Sequence, residues 1–361
     1  MTTTEPVCER TRTQRSVTIA ATRARPKPSR VYTTFWRFAV ERHRAFQRRL
    51  NNYPMPWTTD PIILTYRFTN VFRAVDRVSQ YLIRGVQHRP DLPSDATNLV
   101  FRTILFKLFN RIETWELLES RLPSLSVDHF EPQKAGAVLS SAAANGQRLY
   151  SAAYIMPSTG VLGERRKHLG HLKLIQLMTS PASIHRMSAA SNLRELYEVL
   201  LAFPTLGPFL AFQFAIDLNY SGIYSHNEME FVVAGPGAQD GIRKCFTSLG
   251  EYSEADTIRW VTEHQIEHSR QFEEGPPTLF GRPLQLIDVQ NIFCEVSKYA
   301  RVAHPEVAGT TSRRRIKQLY RPRTEPISLF LPPHWRINDA IPDQNCSQRL
   351  SPHAPLFRVA T

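Results

Sequence analysis

Apolar side chains in this chain recur at helical spacing in one segment after another, and runs that alternate with the period of a strand are scarce. In YRFTNVFRAVDRVSQYLI (66–83), Val71, Val75, Val78 and Leu82 form one stripe, with Asn70, Arg73, Arg77 and Gln80 opposite and Asp76 nearby. FWRFAVERHRAFQRRL (35–50) and FRTILFKLFNRIETWELL (101–118) repeat the pattern, as do stretches within 134–156, 169–178, 192–203, 253–272 and 284–302. NNYPMPWTTDP (51–61) reads as a loop, because its prolines cannot continue a helix. GPGAQDGIRKCF (235–246) reads as a glycine-rich turn that opens a helix. The fold class expected is mainly α.

No Pro/Gly/Ser linker divides the middle, and no internal repeat is visible. The expected organisation is a disordered basic arm (1–30), a single helical domain (31–325) and a Pro-rich polar tail (326–361). Charge follows the same division. Of the net +13, residues 1–30 carry seven basic against two acidic groups, and residues 301–361 carry ten against four, which leaves +2 for the body. Basic ends around a nearly neutral body fit a polyanionic partner, and nucleic acid is the usual one. They equally fit solvated tails that keep a protein dispersed.

No run approaches the length of a membrane-spanning helix, and no apolar leader opens the chain, so an intracellular setting without membrane contact is expected, nuclear in a eukaryote. Cys8, Cys245, Cys294 and Cys346 form no C-x-x-C pair, which argues against a zinc cage or a disulfide framework. HQIEH (264–268) and HLGHLK (168–173) place histidines at ligand spacing, but no further ligand completes either set, so no metal and no cofactor are expected. The chain has no G-x-x-x-x-G-K-[ST], the loop that would cradle ATP phosphates, and a self-contained kinase is not expected.

FPTLGPFLAFQFAIDLNY (203–220) puts a Pro-x-x-Gly-Pro turn between two apolar helices and follows it with Asp217, Asn219 and Tyr220. The turn is either plain helix punctuation or a helix-hairpin-helix. In the second case the amides near Gly207 would hold a phosphate at a helix N-terminus. The turn resembles the Leu-Pro-Gly-x-Gly hairpin of helix-hairpin-helix DNA glycosylases, with Thr205 in place of the first glycine. The register of their catalytic carboxylate falls here on Asn227, flanked by Glu228 and Glu230, so the aspartate of those enzymes is absent. Glu230 and Asp217 are the candidate catalytic carboxylates.

Six blocks occur in one order: ERHRAFQRRL, PWTTDPIILTYRFTNVFRAVDRVSQYL, LFKLFNRIETWE, IDLNYS, EFVVAGPGAQDGIRKCF and LQLIDVQNIFCEVSKYAR. The series resembles the helical domain family named after 5-hydroxymethyl-deoxyuridine DNA kinases. It is also similar to phage glutamyl/putrescinyl-thymine pyrophosphorylases. The resemblance covers about residues 35–325 and implies a glycosylase-like helical fold that handles a modified pyrimidine flipped out of DNA.

The hairpin resemblance supplies Thr205 and Gly207, while the series, carried onto this sequence, nominates Asn70, Arg73, Asp76 and Arg77, then Asn219 and Tyr220. Further on it nominates Gly235, Gly237 and Lys244, and finally Asp288, Gln290, Asn291 and Glu295. Amides and carboxylates can read a pyrimidine edge, and an aromatic ring can stack on it. The implied partners are modified-base DNA and a separate kinase or oxygenase of the same pathway. A DNA reader without chemistry and a helical interaction module stay open as alternatives.

Overall fold

Ser29 accepts the Val31 amide on its hydroxyl and so starts helix α1 (Arg30–Leu50), which buries Val31, Phe35, Phe38 and Phe46 on one face. The computed structural model describes residues 23–323 and 325–342. Most of the chain is helical. After α1 come α2 (Pro61–Thr65), α3 (Arg77–Gln80), α4 (Ala96–Phe109), α5 (Ile112–Arg121) and α6 (Pro132–Ala144). Then follow α7 (Lys167–Met178), α8 (Pro181–Ser188), α9 (Leu193–Leu201), α10 (Pro208–Asn219) and α11 (Pro236–Cys245). The last three are α12 (Glu254–Glu263), α13 (Gln265–His268) and α14 (Leu286–Ala303). Two small antiparallel pairs complete the fold: β1 (Lys27–Pro28) with β2 (Phe246–Ser248), and β3 (Thr278–Leu279) with β4 (Arg282–Pro283). Among the described residues no helix is long and apolar enough to cross a membrane.

Packing sorts the helices into two groups. α14 packs against α11, α1 and α12, while α4 packs against α7, α5 and α10, and α10 against α9. The closest approach is α11 on α14, where Gly237 faces Cys294 and Gly241 faces the Phe293 carbonyl. A side chain at Gly241 would meet backbone, so only glycine allows this spacing.

The stripe at 66–83 is buried at Val71, Val75 and Leu82 and half-buried at Val78, but the segment is not one helix. Residues 73–75 make a 3₁₀ turn, α3 lasts four residues, and Tyr81–Gln87 is a π-helical turn. The cause lies in the carboxylates. Asp76 accepts the Asn70 amide at 2.7 Å, and Asp288 accepts the Arg73 amide at 2.9 Å. Backbone donors that a helix would use internally are thereby committed elsewhere. Likewise 145–156 carries no helix, since Asn145 ends α6 and Gly146 turns at φ +77°.

Both domain edges differ from expectation. Residues 23–30 of the expected arm are ordered on the body: Arg23 ion-pairs with Asp256 at 2.7 Å, and β1 pairs with β2. Residues 326–342 of the expected tail fold back as a strap. The Phe330 amide donates to Gln80 Oε1 at 2.9 Å, and Leu331 is fully buried. Apolar residues too sparse to show a period still gain by covering a core. Residues 1–22 and 343–361, with Cys8 and Cys346, lie outside the described residues.

The hairpin joins α9 to α10. Its left-handed residue is Thr205 (φ +74°) rather than Gly207 (φ −83°). A β-branched residue in that region costs on the order of 1–3 kcal/mol. Gly207 instead leaves open space: a β-carbon there would meet nothing within 4 Å.

Candidate functional site

α10 is apolar on almost every side, so Gln213 and Asp217, polar residues one turn apart, are buried with the rest. Asp217 is 1% exposed. Its Oδ1 lies 2.7 Å from Arg73 Nη1, and its Oδ2 lies 2.6 Å from Lys107 Nζ on α4. Burial alone would raise the Asp217 carboxyl, but the two cations outweigh it and hold the group below the usual carboxylate range. Arg73 Nε donates to Gln213 Oε1 at 3.0 Å, and the Tyr154 hydroxyl donates to the same oxygen at 3.3 Å. Lys107 Nζ stands 4.5 Å from the Tyr154 ring centroid.

From Arg73 the polar groups continue into the other helix group. The Arg73 and Gln285 amides donate to the two oxygens of Asp288, at 2.9 and 3.0 Å. Burial pushes Asp288 up to about 6 against the pull of those amides, Arg282 and Arg73. The Arg73 guanidinium is 5.5 Å from the Tyr220 ring, which meets Trp335 edge-on at 5.6 Å. Trp335 Nε1 and Arg282 Nη2 both donate to Glu228 Oε1 at 3.1 Å. Burial lifts Glu228 to about 7, opposed by Arg282 and reinforced by Asp288. One largely buried polar seam therefore runs Lys107–Asp217–Arg73–Tyr220 and, across Trp335, on to Glu228 and Arg282.

The Tyr154 end of the seam reaches the hairpin. Tyr154 packs on Phe209 in the first turn of α10, with ring centroids 5.8 Å apart. The Phe209 ring fills the place of the missing Gly235 side chain, where a β-carbon would lie 2.5 Å from it. α10 and α11 both begin Gly-Pro, and neither has a side-chain cap on its first amides.

A second cluster holds Asn70, Asp76, Asn291 and Glu295. Asn291 Nδ2 donates to the Asn70 carbonyl at 2.8 Å, and the Thr69 amide donates to Glu295 Oε2 at 3.0 Å. Lys298 pairs with Glu295 at 2.6 Å. Asp76 is raised to about 7 by burial, against the Asn70 amide and Arg42. These contacts fix the loop that presents Arg73.

The remaining nominated residues sit elsewhere. Asn219 is fully buried and pins its own loop, trading hydrogen bonds with the His226 backbone at 2.9 and 3.1 Å. Glu230 is exposed and lines an open cleft of about 720 Å³ with Asn227, His226 and Tyr224, apart from Asp217. Glu228, two residues earlier, is the carboxylate that turns inward. Lys244 is buried and committed to Asp240 at 3.1 Å and the Ser297 carbonyl at 3.0 Å, so its charge is not offered to a phosphate. Gly237 serves helix packing, Gln290 is buried within α14, and half-buried Arg77 faces Arg323 and Arg67. Thr205 is half-buried in the hairpin, its hydroxyl without a hydrogen-bond partner.

Sequence reading missed Lys107, Gln213, Tyr154, Arg282 and Trp335. A lone lysine in the apolar string LFKLF was the available signal, because a buried cation needs a partner. The four histidines of HQIEH and HLGHLK bond separately: His264 to Trp260, His268 to Tyr32, His168 to Ser140 and His171 to Tyr150.

The raised carboxyls have a consequence for stability. Folded Glu228 keeps its proton at pH values where an unfolded glutamate, near 4.5, has lost it, so stability falls as pH rises through about 7. Asp76 acts in the same direction. His43, His171, His268 and His334, held down to about 4 by burial, act oppositely, chiefly between pH 4 and 6.5 and with a tail about one unit above the ordinary histidine value. Thermal melts of the wild type and Glu228→Gln, compared between pH 6.5 and 8, isolate the Glu228 part from the histidines. Over that range the wild type should lose on the order of 1 kcal/mol of stability relative to the variant. An identical pH profile in the variant would show that Glu228 is ionised throughout.

The family model for the helical domain of 5-hmdU DNA kinases matches residues 29–309. A 5-hmdU DNA kinase of Bacillus phage SP10 is 26% identical over 282 residues, which is 72% of this chain and 43% of that protein. The chain thus spans less than half the length of that relative. No solved structure matches. Every seam residue from Lys107 to Arg282 lies within the matched span, and Trp335 lies beyond it. By that match, this chain belongs to the family of 5-hmdU DNA kinase helical domains.

Proposed function

We propose that this chain recognises a modified uracil in DNA, taking the base out of the duplex toward the seam beneath the hairpin. Group transfer is left to a separate kinase or oxygenase, in keeping with the lack of a phosphate-cradling G-x-x-x-x-G-K-[ST] in the sequence. The observation that carries the reading is Asp217, fully buried yet ionised between Arg73 and Lys107. Such a triad is a costly way to hold a fold together, since apolar residues of similar volume do it as well or better. It makes sense where polar groups must be held ready for a polar guest. The name of the phage relative supplies the class of base.

The backbone of the DNA would meet two features. One is the pair of uncapped helix starts at Gly207 and Gly235. The other is a basic ridge at 313–323, which runs beside α2 through the Tyr66–Leu319 bridge and exposes Arg313, Arg314, Arg315, Lys317, Arg321 and Arg323. Short duplexes carrying thymine or 5-hydroxymethyluracil at one position, titrated across a salt series, test the reading. Affinity should fall steeply with salt, and substituting the ridge arginines should flatten that slope. Preference for the modified base should be lost in Asp217→Asn. Binding without base preference would reduce the chain to a nonspecific DNA binder, and no binding at low salt would leave an interaction module.

A further inference from the structure

Trp335 stands at the end of a 3₁₀ turn (Pro333–Trp335), in the strap outside the family-matched residues, yet the groups that hold it lie inside them. Its indole N–H donates to Glu228 Oε1 at 3.1 Å. The Arg282 guanidinium lies over its face, 4.0 Å from the ring centroid. The Tyr220 ring closes one side at 90°. Tyr220 itself is fully buried, and its hydroxyl has no hydrogen-bond partner. An unmet hydroxyl in such a place is unusual, since buried polar groups are nearly always bonded.

A flat ring covered by a guanidinium, with one ring N–H on a carboxylate, is also how a nucleobase is held. The imide N–H of a uracil-type base can replace the indole N–H on Glu228. The free Tyr220 hydroxyl can then donate to a carbonyl beside that N–H, a bond that indole cannot accept. A uracil-type base with its two carbonyls and its 5-substituent is about the size of an indole, so it can take the place of the ring. The strap is pinned to the body by the Phe330 amide on Gln80, and paired bonds between Leu331 and Asn338, at 2.8 Å each, close the loop that carries Trp335. Only that closed loop has to move for the ring to leave.

We propose that Glu228, Arg282 and Tyr220 form a slot for a uracil-type base, and that Trp335 fills it when the base is absent. The proposal rests on the reading above for the class of base, but the slot is tested without DNA. Full-length Trp335→Ala, shown by circular dichroism to be folded, is titrated with thymidine and with N3-methylthymidine. Thymidine should bind the variant roughly ten-fold more tightly than it binds the wild type, and N3-methylthymidine should gain nothing. Equal gain for both nucleosides, or gain for neither, overturns the slot.

If the variant does not fold, the wild-type chain labelled with 5-fluorotryptophan replaces it, the Trp335 resonance being assigned by Trp335→Phe. Thymidine should shift that resonance and N3-methylthymidine should not; an unmoved resonance overturns the proposal. Base-selective DNA binding without thymidine in the slot would sink the slot and keep the functional reading. Thymidine in the slot without any DNA affinity would do the reverse.

Discussion

Asp217→Ala is expected to cost on the order of 3–5 kcal/mol of folding stability, because it leaves Arg73 and Lys107 buried side by side with no anion between them. Urea unfolding measures the loss directly, provided the slope of the transition is unchanged. A loss below about 1 kcal/mol would mean that water reaches the cluster and screens it, contrary to its burial. A companion variant separates stability from function. Replacing all three charges together, as Arg73→Met, Lys107→Met and Asp217→Leu, should recover most of the loss, since no unpaired charge remains. If that protein folds and still prefers a modified base, the triad is structural and the proposed role fails.

Gly241→Ala is the second large effect. A β-carbon there would lie 2.7 Å from the Phe293 carbonyl carbon and closer still to its oxygen. That is main chain of α14 and cannot rotate away, so α11 and α14 must separate along the closest packing in the fold. A loss of about 3 kcal/mol is expected. Gly237→Ala provides the contrast. The nearest atom to its added carbon is the Cys294 sulfur, an end that can turn aside, and about 1 kcal/mol is expected. Thermal or urea unfolding of the two variants side by side tests the difference. Equal losses would show that α14 yields as a body.

The two effects bear on function through one element. α14 carries Asp288, which takes the Arg73 amide, and Asn291 and Glu295, which hold the loop before it. A shift of α14 therefore moves Arg73 relative to Asp217. Gly241→Ala should weaken base preference as well as stability, although Gly241 belongs to neither the seam nor the hairpin.

What the sequence by itself determined is the helical class and the position of most helices, because apolar spacing reports burial directly. Pro208 and Pro236 mark true helix starts, and the turn at 203–208 stands where Pro-x-x-Gly-Pro puts it. The ordered blocks also pointed to the right family. Only the tertiary structure decided which polar residues share a site. Arg73 and Asp217 are 144 positions apart by their numbers, and Lys107 lies between them on another helix, so no local period joins the three.

Apolar period also failed at 66–83, where carboxylates from inside the segment and from α14 captured the backbone amides. Glu228 and Glu230 look alike in sequence and differ wholly in place, one buried under Trp335 and the other on an open cleft. Trp335 belongs to a stretch whose composition reads as tail. Its burial partners come from Tyr220, Glu228 and Arg282, and only the fold brings those three together. Local pattern records whether a side chain is buried. Long-range packing chooses its partner, and in this protein the charges are defined by their partners.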